Sequence, residues 1–267
     1  MTTAPGTPTP HGAGAGQCSC PGGPRPCACA GAATVSLPQL PPGDFLNGDG
    51  QGEWHAVRHG DAVLAVPWQG RHVARAACGK LAFLEASLGA YDRDCGPASV
   101  RPCPECAWTA AAESGTLDRE VRRLVPAPAD QVTLARLIPD PVTAATAAAA
   151  LTAALTCRPG RVEDEDDRHL IQVLGAVSRH APVLLIAGAC QEGSCGCPGD
   201  DHDATAACAG CSLQAGSWAG DYEGEYLAEC LVPAPCQPLL LLAAAAPVMA
   251  AEAVAARQAA RPATDSR

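Results

Sequence analysis

Cysteine dominates what this chain can become. It carries sixteen, set against four Trp, three Tyr and two Phe in 267 residues. Alanine supplies most of the remaining apolar content, and alanine buries little area, so a core built from it gains far less than one built from Leu, Ile and Phe. Such a chain needs extra fastening, from disulfides or from thiolates on a metal ion. The cysteines also have telling spacings. Cys103-Pro104-Glu105-Cys106 and Cys208-Ala209-Gly210-Cys211 are C-x-x-C knuckles, the tight turn that gives a tetrahedral zinc two of its four thiolate or imidazole ligands.

Around the first knuckle, Cys78-Gly79-Lys80 follows two short strand-like runs at 62–66 and 72–76, joined around Trp68-Gln69-Gly70. Cys78 is the expected third ligand, and a histidine should complete the set. His55 gives the spacing H-x22-C-x24-C-x2-C, with His59 or Cys95 as alternatives. Residues 55–106, with His55-Ala56-Val57, Cys78-Gly79-Lys80 and Cys103-Pro104-Glu105-Cys106, resemble small actinobacterial zinc-ribbon-like proteins of uncharacterised function. The resemblance covers about a fifth of the chain and implies His55 as the fourth ligand.

The second cluster is Cys190-x4-Cys195-x-Cys197-x10-Cys208-x2-Cys211. Five thiols exceed what one zinc needs. The expected set is Cys190, Cys195, Cys208 and Cys211, with Cys197 or His202 as alternatives and Cys230 and Cys236 packed beside it. A third group, Cys18, Cys20, Cys27 and Cys29, lies in a Pro/Gly-rich segment where soft-metal chelation competes with unpaired thiols.

The expected architecture is α+β, with two small zinc-ribbon-like modules. A disordered Pro/Gly-rich tail would occupy residues 1–49, the first module 50–125, a helical connector 126–167, the second module 168–258, and a further tail 259–267. Helices are expected near 107–114, 117–124, 143–156 and 168–178, with Leu170, Leu174 and Val177 forming an apolar stripe on the last. The acidic run 163–167 would cap that helix, and His169 and His180 are assigned to its polar side and end. Residues 132–138 read as a short strand or turn, and 183–186 as a buried strand. Gly48-x-Gly50-x-Gly52 falls in an expected flexible segment with no preceding strand, so it reads as a linker and not a phosphate cradle.

Charge narrows the functional classes. The net charge is −10, with Lys80 the single lysine, so the clustered cations that drive nucleic-acid binding are lacking outside Arg119, Arg122 and Arg123. Residues 1–16 have no basic or apolar segment of a secretory signal. The apolar run 239–251 is too short to cross a bilayer. A reducing, cytoplasmic location with a protein partner is therefore expected. Zinc deamination would need a glutamate beside the upstream ligand, which His55-Ala56-Val57 and Cys78-Gly79-Lys80 do not supply. The expected role is a non-enzymatic interaction or regulatory module with structural zinc; the alternative is thiol redox or metal-sensing chemistry at the C-x-x-C pairs.

Overall fold

The computed structural model describes residues 45–50, 53–69, 71–84, 91, 101–138, 140–156, 162–186, 204–215, 219–220 and 226–260. The fold is α+β. Six strands form a mixed sheet: β1 (Phe45–Gly50), β2 (Glu53–Arg58), β3 (Val66–Trp68), β4 (Arg71–Arg75), β5 (Leu81–Leu84) and β6 (Arg101–Pro102), in the order β3-β4-β5-β1-β2-β6. All neighbours are antiparallel except β2 and β6. A short helix, α1 (His59–Val63), leads from β2 towards β3.

Strand β1 falls where the tail and a glycine linker were expected, and its glycines explain the misreading. At Gly48 a Cβ would come within 2.9 Å of both Ala82 Cβ and Val57 Cγ2. Glycine here permits close approach between strands rather than flexibility. The rest of the expected tail, including Cys18, Cys20, Cys27 and Cys29, lies outside the described residues. The expected hairpin is also shifted: residues 62 and 63 belong to α1, and the pairing runs Val66↔Val73 through Trp68↔Arg71.

The helices follow: α2 (Pro104–Ser114), α3 (Leu117–Arg123), α4 (Pro128–Leu137), α5 (Thr143–Ala154), α6 (Glu165–Arg179) and α7 (Gln237–Ala260). Helix α2 begins with Pro104 in its first turn and stops at Gly115, whose φ of 72° terminates the helix. On α3, Arg122 and Arg123 approach Asp118 and Glu120 at 3.6 and 3.5 Å. Helix α4 replaces the strand or turn expected at 132–138; Pro128 is accommodated in its first turn. Asp164 caps α6 by accepting from the amides of Asp166 and Asp167, and three acids fill the first turn.

One core joins α2, α3, α5, α6 and α7, while Leu134 of α4 lies in a separate cluster with Ile138, Ala206 and Ala234. Trp108 of α2, Leu151 of α5, Leu170 and Leu174 of α6 and Leu239 of α7 share the first core with Val177, Cys208 and Cys236. Each large side chain contributes about 1.5–3 kcal/mol on full burial. Helix α5, in the stretch read as a connector, lies inside this core, burying Ala144, Ala145, Ala147 and Ala148. Its small side chains let α7 pack along it. Trp108 also donates its indole N–H to Ser178 Oγ at 2.7 Å, fixing α2 on α6. Asp167, buried on α6, takes hydrogen bonds from Thr156 and, at 2.7 Å, from Arg257 of α7.

Helix α7 is 24 residues long, not the thirteen-residue apolar run, and is long and apolar enough to cross a membrane. One face nonetheless packs on α5 and α6. Two further strands, β7 (Pro182–Ile186) and β8 (Ala204–Cys208), form an antiparallel pair after α6.

Candidate metal centres

The first centre gathers His55, Cys78, Cys103 and Cys106, whose ligand atoms all lie within 4.8 Å of one another. His55 projects from β2 and is buried. Cys78 lies in the turn between β4 and β5, closed by Gly79 N–H donating to the Ala76 carbonyl at 2.8 Å. Gly79 has φ 89°, the left-handed conformation that favours glycine. Ala77 N–H donates to the Ala56 carbonyl at 2.8 Å, and Cys103 N–H to the Trp54 carbonyl at 2.8 Å. Both cysteine-bearing turns are therefore tied to the strand that carries the histidine.

His55 Nδ1 faces the sulfurs, at 3.5 Å from both Cys78 and Cys106. Its Nε2 points towards Glu53, with an oxygen 3.9 Å away. A ring nitrogen on the metal side and a carboxylate behind the other nitrogen is the usual arrangement around ligating histidines. Cys103 stands at the N-terminus of α2 and Cys106 in its first turn, where the helix dipole favours thiolates.

The second centre gathers His180, Cys208, Cys211 and Cys236, again within 4.8 Å. His180 ends α6, Cys208 ends β8, Cys211 lies in the turn beyond, and Cys236 immediately precedes α7. His180 Nδ1 lies 3.4 Å from Cys208 Sγ, 3.3 Å from Cys211 Sγ and 3.6 Å from Cys236 Sγ. Burial first, and then the Arg179 charge, lower the His180 pKa, favouring the neutral imidazole that a metal ligand requires.

Of the residues expected here, Cys208 and Cys211 are in the group; Cys190, Cys195, Cys197 and His202 lie outside the described residues. His180 and Cys236, read as a helix end and a bystander, complete the four instead. A signal for Cys236 was present: Cys103-Pro104 and Cys236-Gln237-Pro238 both put a cysteine at the start of a helix with proline in its first turn. His59 begins α1 and belongs to neither group, while Cys230 is a half-buried free thiol outside both.

The distances suit a tetrahedral ion. Bond lengths of about 2.3 Å to sulfur and 2.0–2.1 Å to nitrogen give N···S edges of about 3.6 Å. The thiols alone cannot all ionise at such range. Hydrogen bonds from Cys103, then Cys106, drive the Cys78 pKa far below the ordinary thiol range. Cys103 is raised by its hydrogen bonds with Cys106 and Cys78 and by burial. At Cys106 a hydrogen bond from Cys103 acts downward, but Cys78 and burial outweigh it and push the pKa up to about 12. In the second centre, burial and then hydrogen bonding to Cys236 and Cys211 push Cys208 up to about 12. A divalent cation is the natural counter-charge for three such sulfurs.

No protein-family model, curated protein or solved structure matches the chain. Among the described residues, fold and site together define an α+β arrangement with two three-cysteine, one-histidine groups that could hold metal ions.

Proposed function

We propose that each group binds one zinc ion as a closed structural site, and that the protein acts as a non-enzymatic interaction or regulatory module. The observation that carries this reading is the near-tetrahedral spacing around both imidazoles, 3.3–3.6 Å from Nδ1 to sulfur. A donor set of three sulfurs and one nitrogen favours zinc over hard cations. Four protein ligands leave no position for the exchangeable water that catalytic zinc keeps.

Zinc here replaces bulky core. Its ligands come from β2, the β4–β5 turn, α2, the end of α6, the end of β8 and the start of α7, so two ions fasten six places in the chain. The partner is a protein. Val63, Leu64, Val66 and Trp68, each more than half exposed, crowd the β3 edge of the sheet and offer an apolar surface.

Purification under reducing conditions followed by elemental analysis tests this. Two zinc ions per chain, with the six ligating thiols unreactive until a chelator is added, is the expected result. Iron with visible colour, or a metal-free protein with a reactive C-x-x-C pair, contradicts it.

A further inference from the structure

Two contacts connect the surroundings of the two centres, and a third packs the second knuckle onto Arg179. Arg179 immediately precedes His180, and its Nη2 lies 3.1 and 3.0 Å from the two Glu105 oxygens and 3.4 Å from Glu53 Oε1. Glu105 sits inside the first C-x-x-C, with Oε2 3.2 Å from Cys103 Sγ. The other oxygen of Glu53 is 2.8 Å from Lys80 Nζ, two residues beyond Cys78, and 3.9 Å from His55 Nε2. A single guanidinium thus reaches, through two carboxylates, the surroundings of His55, Cys78 and Cys103 in the first centre.

The second contact runs the other way. Arg101, two residues before Cys103, donates to the Ala209 carbonyl at 3.2 Å, inside the second C-x-x-C, and its guanidinium lies over the Tyr226 ring at 4.8 Å. The third is steric. A Cβ on Gly210, in that same knuckle, would sit 2.5 Å from the Arg179 carbonyl oxygen. The second knuckle is pressed onto the residue that holds the first.

We infer, resting on the zinc reading above, that the two centres load and release metal cooperatively, with Arg179 as the positioning residue that couples them. Filling the second centre fixes His180, and with it the backbone and guanidinium of Arg179. That in turn holds Glu53 and Glu105 where the first centre needs them. The ordering cost of the second ion has then been met by the first, and linkage makes the effect reciprocal. Arg179, Glu53 and Glu105 are only partly exposed, so solvent does not fully screen their attraction.

The test uses the full-length zinc-loaded protein, stripped stepwise with a chelator while native mass spectrometry counts chains holding two, one or no zinc ions. Two equal, independent sites leave about half of the chains with one zinc at half removal; coupling of about tenfold or more lowers that to about a quarter or less. The wild-type protein is expected to show the lower value, Arg179→Gln about half, and Arg179→Lys, which keeps the charge, a value between them. A circular dichroism spectrum matching wild type shows that Arg179→Gln is folded; if it is not, Glu53→Gln and Arg101→Gln are expected to raise the one-zinc form instead. A wild-type one-zinc form at half or above, or variants all matching a low wild-type value, overturns the inference. A purified protein without zinc overturns the structural-zinc reading itself, and is recognised by the absence of any metal mass.

Discussion

Gly50 lies directly against the imidazole of His55: a Cβ there would be 2.8 Å from Cδ2 and 2.9 Å from Nε2 of the ring. The hairpin pairs Gly50 with Glu53, so the residue that makes room for the ring faces the one that supplies its carboxylate. Gly50→Ala is expected to push the ring from its position and lower zinc from two ions to one per chain. Elemental analysis checks this, and two zinc ions in a folded variant would contradict it.

The second centre makes a different demand. His180→Ala or Cys236→Ser should each reduce zinc to one per chain, because every ligand of a closed site is needed. Cys190→Ser and Cys195→Ser should leave two. Metal analysis of these four variants decides between the structural set and the set expected from spacing.

A buried ion pair fastens the long terminal helix. Arg257 on α7 donates to Asp167 on α6 at 2.7 Å, with the two side chains 18 % and 5 % exposed, and also to the Ala154 carbonyl. Asp167→Ala strands that guanidinium, and breaking such a pair costs about 3 kcal/mol. Denaturant unfolding of the zinc-loaded protein should show the loss, without any change in zinc content.

Proton release reports on the first centre. The three sulfurs of the first centre cannot all ionise without a cation, Cys78 being shifted down while Cys103 and Cys106 are shifted up, so zinc binding as thiolates displaces protons from the trio. Affinity therefore falls as pH falls, since protons compete for the sulfurs. Calorimetry of the His180→Ala variant in buffers of different ionisation enthalpy is expected to give about two protons released per zinc at pH 7. Zero would contradict the assignment.

Much of the first centre was legible because its chemistry is written locally. A C-x-x-C before a helix and a Cys-Gly turn pointed to Cys78, Cys103 and Cys106, while spacing left the fourth ligand open between His55, His59 and Cys95 and only the resemblance implied His55; the fold brings His55 to the three cysteines. The second was half legible. His180 reads as a polar helix end, since no periodicity distinguishes a ligand from a solvated cap. Cys236 lies beyond nearer thiols that spacing alone favours. Strand β1 was hidden because its glycines and polar residues look like a linker until Ala82 and the His55 ring are seen pressed against them. Helix α5 was recognised as a helix, but only its packing on α7 reveals it as core.

On the proposed reading, two zinc ions, each held by three sulfurs and one imidazole nitrogen, fasten this chain. Zinc-edge X-ray absorption on the purified protein, with metal content measured on the same sample, tests it most directly. Two zinc ions per chain are expected, with a shell of three sulfurs at about 2.3 Å and one nitrogen at about 2.0–2.1 Å. A shell dominated by oxygen, or a folded protein carrying no zinc, would contradict it.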